Sequence, residues 1–316
     1  MDAPAVLPDK EELSKALPLS GIRHISLLKS GFQNTIYKIE TGAGVYCLRI
    51  NQRKNKEHVA FEVAVLSRLR DLPVPQLVGD EKKGYIFDIR GRPATLYPFI
   101  IGEHVTEVSG EMILQVGQFL GAYHSRCDGF SWEGERFEFY HLPQSVRDHY
   151  VGVVTQAKVP YLEMLPRVIE DLLDNQLGRG LPKGPIHVDL SPRNSLFSNG
   201  RLVGVLDFDN AFIGPFVLDL GKTMMFFAFH KGTFDAEKAR HLYKAYIQKR
   251  SLTDTEYGQV YKALKFAFLS HVFVDYYMYA IGVTSREYFE YIVRDLYQSY
   301  KNFDMSEHSF FSLLER

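Results

Sequence analysis

A chain of 316 residues with 46% hydrophobic and 24% charged side chains has the composition of a folded globular protein, long enough for one large domain or two smaller ones. Its 37 Lys and Arg against 38 Asp and Glu leave a net charge of −1, which argues against a dedicated nucleic-acid binder, because displacing counterions takes an excess of cations. Two scattered cysteines, Cys47 and Cys127, make neither a disulfide framework nor a zinc site.

The acidic N-terminal residues carry no apolar stretch of the kind a secretory signal needs. The longest apolar run, residues 266–281, contains His271 and Asp275 and falls short of the ~20 uninterrupted apolar residues of a spanning helix. The expectation is a soluble, cytoplasmic protein with no membrane partner and no nucleic-acid partner.

From residue 25 to about 99 the pattern is mostly β. Residues 35–39 and 45–50 are β-branched and aromatic and flank Thr41-Gly42-Ala43-Gly44, which predicts a hairpin. Residues 56–70 predict a helix, with Val59, Val63 and Leu66 at helical spacing, and the Leu72-Pro73-Val74-Pro75 stretch ends it. Residues 85–87 and 94–97 predict two further strands joined through Gly91. After Gly102 the pattern turns helical: residues 112–123, 167–176 and the long segments after Leu218 carry apolar positions at helical spacing. One β-like island, residues 186–188, 195–197 and 203–206, interrupts them. A β-rich region ahead of a helical one predicts an α+β fold with a cleft near residues 97–103.

The island carries the chemistry. His187-Val188-Asp189-Leu190-Ser191-Pro192-Arg193-Asn194 is followed by Val205-Leu206-Asp207-Phe208-Asp209, so Asn194 stands five residues after Asp189 and Asp207 stands eighteen after it. Phosphoryl transfer asks for Mg²⁺ on the phosphate oxygens, a group that orients the acceptor hydroxyl, and positive charge on the nucleotide. Asn194 and Asp207 offer the hard oxygens that suit Mg²⁺, and Asp189 suits the carboxylate that accepts the hydroxyl hydrogen. Asp209 is either a second metal ligand or a turn cap. His187 reads as a buried ring supporting the loop, and Arg193 either as an acceptor-side residue that reaches the transferred phosphate or as a solvated loop residue. A metallohydrolase built on His187, Asp189, Asp207 and Asp209 is the chemical rival, though it lacks further histidines.

HxDxxxxN followed by an apolar strand ending in Asp-Phe resembles the catalytic and metal loops of the protein-kinase-like superfamily. HVDLSPRN and GVLDFDNAFIGPFVLDLG are similar to the aminoglycoside phosphotransferase and choline kinase branch, and within it to homoserine kinases. With these the chain shares the GFQNTIYKIETGAG opening, the LF after the Asn, and an Asn-Ala then Gly-Pro after the second motif's Asp. The resemblance covers roughly residues 31–222. It implies a two-lobed protein-kinase-like fold: a small antiparallel β-sheet lobe with one main helix for the nucleotide, residues 1–98, and a larger, mainly helical catalytic and acceptor-binding lobe, residues 99–316. The activity implied is ATP-dependent transfer to a hydroxyl of a small amine-bearing metabolite, with Mg²⁺, and homoserine is the leading acceptor. Aminoglycoside or choline-like acceptors, and a nucleotide-binding module without turnover, are the alternatives.

Glu62 points partly into the apolar face of its helix and needs a partner, which Arg49 on the neighbouring strand can supply. In the resembling family a strand cation, usually Lys, binds nucleotide phosphates and pairs with a helix Glu, so Arg49 and Glu62 are expected to serve the nucleotide. Gly31, Asn34 and Thr35 form the loop expected over the phosphates. The connection Tyr97-Pro98-Phe99-Ile100-Ile101-Gly102-Glu103 is expected to hold the adenine edge, and since Pro98 has no N–H, Phe99 or Ile101 must donate. Asp219 is expected to brace the catalytic loop. Leu220-Gly221-Lys222-Thr223 resembles the end of a P-loop but has Phe216 where the earlier glycine belongs, so it is set aside. Asp275, on an apolar helix one turn after His271, is a candidate partner for an acceptor ammonium. The many aromatics of residues 257–300 read as core or as the lining of a cationic site. Glu133, Glu135 and Glu138 around Trp132 read as a solvated loop or as partners for a polycation.

Overall fold

The computed structural model describes residues 7–31, 33–79, 84–134 and 140–315. The chain divides into two compact units. The first is drawn from residues 1–102, 132–137 and 203–206, and the second from the remainder. The fold is α+β.

The first unit opens with α1 (Lys10–Ala16) and builds a five-stranded sheet in the order β1-β2-β3-β5-β4 from β1 (Ile22–Ser30), β2 (Asn34–Thr41), β3 (Val45–Asn51), β4 (Phe87–Ile89) and β5 (Arg92–Pro98). All its pairings are antiparallel. The hairpin between β2 and β3 closes where Thr41 N–H donates to the Gly44 carbonyl, with Glu40 opposite Val45. α2 (Lys56–Arg68) starts at Asn55, whose side chain accepts from His58 N–H, an N-cap that satisfies one otherwise orphaned amide. Alternation along β2 turns Tyr37 and Ile39 into a core shared with Leu48, Ile50, Leu96 and, from α1, Leu13. The fourth strand runs over 87–89 rather than the expected 85–87, because the Arg90-Gly91 turn, both residues at positive φ, fixes where it can pair with β5.

The second unit contains α3 (Gly110–Arg126), α4 (Gln144–Ala157), α5 (Leu165–Asp174), β6 (Lys183–Ile186), β7 (Ser195–Ser198), β8 (Arg201–Val205, whose last residues belong to the first unit), β9 (Phe212–Pro215), α6 (Phe216–Phe227), the two-residue strands β10 (Phe229–His230) and β11 (Thr233–Phe234), α7 (Ala236–Ile247), α8 (Asp254–Tyr257), α9 (Val260–Ala280), α10 (Arg286–Tyr291), α11 (Tyr297–Asn302) and α12 (Glu307–Glu315). α6 is its central column, buried at every position except Phe226. It packs on α9 so closely that a Cβ on Gly221 would lie 2.5 Å from the Ala263 carbonyl oxygen. α3 and α7 make a similar approach, where a side chain at Gly121 would meet the Tyr246 carbonyl at 2.5 Å. No helix among the described residues is long and apolar enough to cross a membrane.

Candidate active site

The loop that carries Asp189 is positioned by a short ladder. β6 pairs antiparallel with β9, Ile186 opposite Phe212, and β9 runs through Pro215 directly into α6. The end of β6 therefore lies beside the first turn of α6, where Asp219 also complements the helix dipole. His187 N–H and Val188 N–H donate to Oδ2 and Oδ1 of Asp219, each at 2.7 Å. His124 Nε2 makes a third bond to Oδ2 at 3.1 Å, while its Nδ1 meets the Tyr246 hydroxyl at 2.9 Å. Burial opposes charge on Asp219, but the hydrogen bond from His124 and the amides win, and its pKa is lowered. Burial lowers the pKa of His124, so the contact is best read as a neutral ring donating to a carboxylate rather than an ion pair.

The strand expected over residues 186–188 stops at Ile186, because Val188 stands at φ 59°, a left-handed conformation that a buried β-branched residue adopts only under constraint. Asp219 supplies that constraint. Past the kink, Asp189 is half-buried, and its amide meets His187 Nδ1 at 3.3 Å. The Pro192–Asn194 turn is closed by Asn194 N–H donating to Ser191 O and by Ser195 Oγ donating to the same carbonyl. It swings Asn194 back so that Nδ2 donates to Asp189 Oδ2 at 2.9 Å and to Asp189 O at 2.8 Å. That fixes the amide's orientation and turns its Oδ1, a hard oxygen, toward other partners. Burial raises the pKa of Asp189, against the pull of His187, Asn194, Lys222 and Arg193.

Asp207 heads the Phe208–Asn210 turn at φ 66°, and Asp209 within it is buried. Phe208 packs its ring 4.6 Å from that of His187 and 5.8 Å from Tyr123, which ties this turn to the Asp189 loop. Among the described residues no group of three or more His, Cys, Asp or Glu side chains is arranged to hold a metal. The oxygens of Asn194 and Asp207 are nonetheless the kind Mg²⁺ takes when phosphates and waters complete its shell.

In the first unit Arg49 and Glu62 are both buried and form an ion pair through Nη2 and Oε2, with the guanidinium 5.8 Å from the centre of the Tyr97 ring. Gly31 N–H donates to Asn34 O in a tight turn, and Thr35 is buried with its hydroxyl accepting from Gln52. Phe99 requires a correction. Its N–H donates to Val45 O as the sheet continues past Pro98, so it is not free for an adenine edge. Ile101, 82% exposed, is the remaining candidate donor. Glu133 is exposed, and Glu135 and Glu138 lie outside the described residues.

Residues 24–256 match the model of the phosphotransferase enzyme family. The chain belongs to that family. A homoserine kinase from Polaromonas naphthalenivorans is 28% identical over 252 residues, covering 76% of this chain and 77% of its own length. Of solved structures, the amicoumacin kinase hAmiN in complex with AMP-PNP, Ca²⁺ and Ami superposes with a TM-score of 0.70 at 17% identity, over 97% of each chain. A microcompartment-associated aminopropanol kinase gives 0.64 at 18% identity, over 97% of this chain and 98% of its own. The fold is protein-kinase-like, and the protein is a phosphotransferase that uses an alcohol group as acceptor.

Sequence reasoning missed one residue of this phosphotransferase. Lys222, one turn after Asp219 on α6, is 0% exposed, and its Nζ makes no hydrogen bond with the described residues. It stands 4.1 Å from the centre of the Tyr140 ring. Burial lowers its pKa to about 7, while Asp189, Asp275 and Asp219 act the other way. Asp275, on α9, accepts from the Thr284 hydroxyl at 3.2 Å and lies 3.4 Å from His271 Nε2. Burial raises its pKa to about 7. His271 is neutral, its pKa pushed well down by burial and by Lys222, so its 3.4 Å approach to Asp275 is a polar contact and not an ion pair. The same ring reaches the hydroxyls of Tyr140 and Tyr288, and Tyr288 lies under the Arg193 guanidinium at 5.7 Å. Apart from the P-loop-like stretch set aside above, the sequence marked Lys222 by a charge inside an apolar helix, the same signal that marked Asp275.

Proposed function

We propose that this phosphotransferase moves the γ-phosphate of ATP to the hydroxyl of a small amine-bearing metabolite, with homoserine the first acceptor to test. The single observation that carries the reading is the Asp189–Asn194 pair, held at fixed geometry by the Asp219-braced loop. Asp189 accepts the hydroxyl hydrogen as the acceptor oxygen bonds to the γ-phosphorus and the bond to the bridging oxygen breaks, releasing ADP. Its raised pKa suits a base that must take up a proton and then give it back. Asn194 Oδ1 and the Asp207 carboxylate would hold Mg²⁺, with Asp209 the candidate for a second ion. When bound, the metal would neutralise charge on the phosphate oxygens.

Arg49, kept in place by Glu62, would meet the nucleotide phosphates, with the turn at Gly31, Asn34 and Thr35 beside them. Ile101 would offer its N–H to the base. The homoserine kinase relative favours a hydroxylated amino acid as acceptor, whereas the aminopropanol kinase neighbour shares only the fold. The test is ADP release, with and without a panel of amino alcohols and hydroxy amino acids. Acceptor-stimulated turnover is expected in the wild type, and Asp189→Asn should lower kcat about 10²–10⁴-fold while nucleotide still raises the melting temperature. Full turnover by that variant would remove Asp189 from the role of base.

A further inference from the structure

A buried cation with no partner is costly, and a protein keeps one only where something else offsets the cost. Lys222 is such a group: fully buried, with no hydrogen bond at Nζ and no carboxylate within ion-pair distance among the described residues. Among the described residues its only close partner is the face of Tyr140, 4.1 Å from Nζ to the ring centre. The charges that act on it are Asp189, the proposed base, Asp219, already saturated by His124 and two amides, and Asp275. His271 and Tyr140 stand in the same cluster. A second charge, Asp275, is 5% exposed and among the described residues is met only by contacts from Thr284 at 3.2 Å and His271 at 3.4 Å. A cation and an anion are thus held beside the proposed base, apart from each other.

We propose that Lys222 anchors a carboxylate on the acceptor while Asp275 anchors its ammonium, so that the substrate class of this kinase is a hydroxylated amino acid rather than a plain amino alcohol. This rests on the reading of Asp189 as the base. A zwitterionic acceptor offers each buried group the opposite charge it lacks, and its hydroxyl arm is then left to reach Asp189. An amino alcohol would satisfy Asp275 and leave Lys222 orphaned, the circumstance in which a polar site discriminates most strongly. The depressed pKa of Lys222 and the raised pKa of Asp275 fit a pair of groups that carries little charge on its own and gains both charges when the acceptor binds.

The experiment compares L-homoserine, aminopropanol (homoserine without its carboxylate) and γ-hydroxybutyrate (homoserine without its amine) on the full-length wild type and on Lys222→Met and Asp275→Asn. In the wild type, kcat/KM should favour homoserine over aminopropanol by about 100-fold, the value of a charge-assisted contact in a buried site. Lys222→Met should collapse that ratio toward one, and Lys222→Arg should restore part of it. Asp275→Asn should instead erode the preference for homoserine over γ-hydroxybutyrate. A parallel loss on homoserine and aminopropanol in Lys222→Met would place Lys222 in the service of Asp189 or the phosphate and overturn the inference. Wild-type preference for aminopropanol would also overturn it while leaving the kinase reading intact. If the wild type turns over none of the three, that reading of the acceptor fails, and thermal shift decides the inference separately. Homoserine and γ-hydroxybutyrate should raise the wild-type melting temperature more than that of Lys222→Met, and equal shifts would refute the carboxylate site.

Discussion

Asp219 and Lys222 sit one turn apart on the same buried helix, and their surroundings could hardly differ more. Asp219 takes hydrogen bonds from two backbone amides and a histidine, and its ionised form is favoured despite full burial. Among the described residues Lys222 has the face of an aromatic ring and nothing else within bonding distance. A saturated buried charge is a strut: it holds Val188 in a left-handed kink and thereby aims Asp189. An unsaturated one does nothing for the fold and raises its energy, so its use lies outside the fold.

Replacing each group in turn tests that contrast. Asp219→Ala should have the largest effect, leaving His124 and two amides without an acceptor and releasing the kink. A loss of about 3–5 kcal/mol in urea unfolding is expected, with activity lost in step. Gly221→Ala, between the two charges, forces a methyl against the Ala263 carbonyl and should cost about 1–3 kcal/mol by separating α6 from α9. Lys222→Met should go the other way and raise the melting temperature by about 2 °C, since it removes a buried cation and keeps the volume. A fall in melting temperature would mean Lys222 is a strut as well.

The subtlest effect is in the pH dependence of stability. The folded pKa of Lys222, about 7 against 10.5 for the free side chain, means that the unfolded chain binds the extra proton between those values. Its contribution therefore makes the protein more stable as pH rises from 7 toward 10. Asp275, raised from 3.8 to about 7, holds a proton in the folded state that the unfolded chain has released, so its contribution falls as pH rises from 4 to 7. The charges facing this pair are Asp189, Asp219 and Arg193, with His271, Tyr140 and Tyr288 as neutral neighbours. Lys222→Met should flatten the alkaline limb of a melting-temperature profile and Asp275→Asn the acid limb.

Much of the strut was legible in the sequence, because local spacing carries it. The HxDxxxxN run places Asn194 one short turn after Asp189, and the burial of Glu62 on α2 called for a cation that Arg49 provides. Lys222 was not legible. Its charge inside an apolar helix was visible, but α6 is buried on all sides, so the pattern does not tell which way Lys222 points, and its surroundings are set by α9 and Tyr140, distant in sequence. Between the amides of Phe99 and Ile101 the sequence left the choice open for a related reason: whether β5 pairs one residue beyond Pro98 depends on the register with β3, which composition does not encode.

Val188 sets a condition on moving this chemistry elsewhere. Its backbone angle comes from a carboxylate thirty-one residues downstream, not from its own preferences. A peptide copied from residues 186–195 would relax to an extended chain and lose the aim of its aspartate. Any scaffold that borrows the loop has to borrow the first turn of α6 along with it.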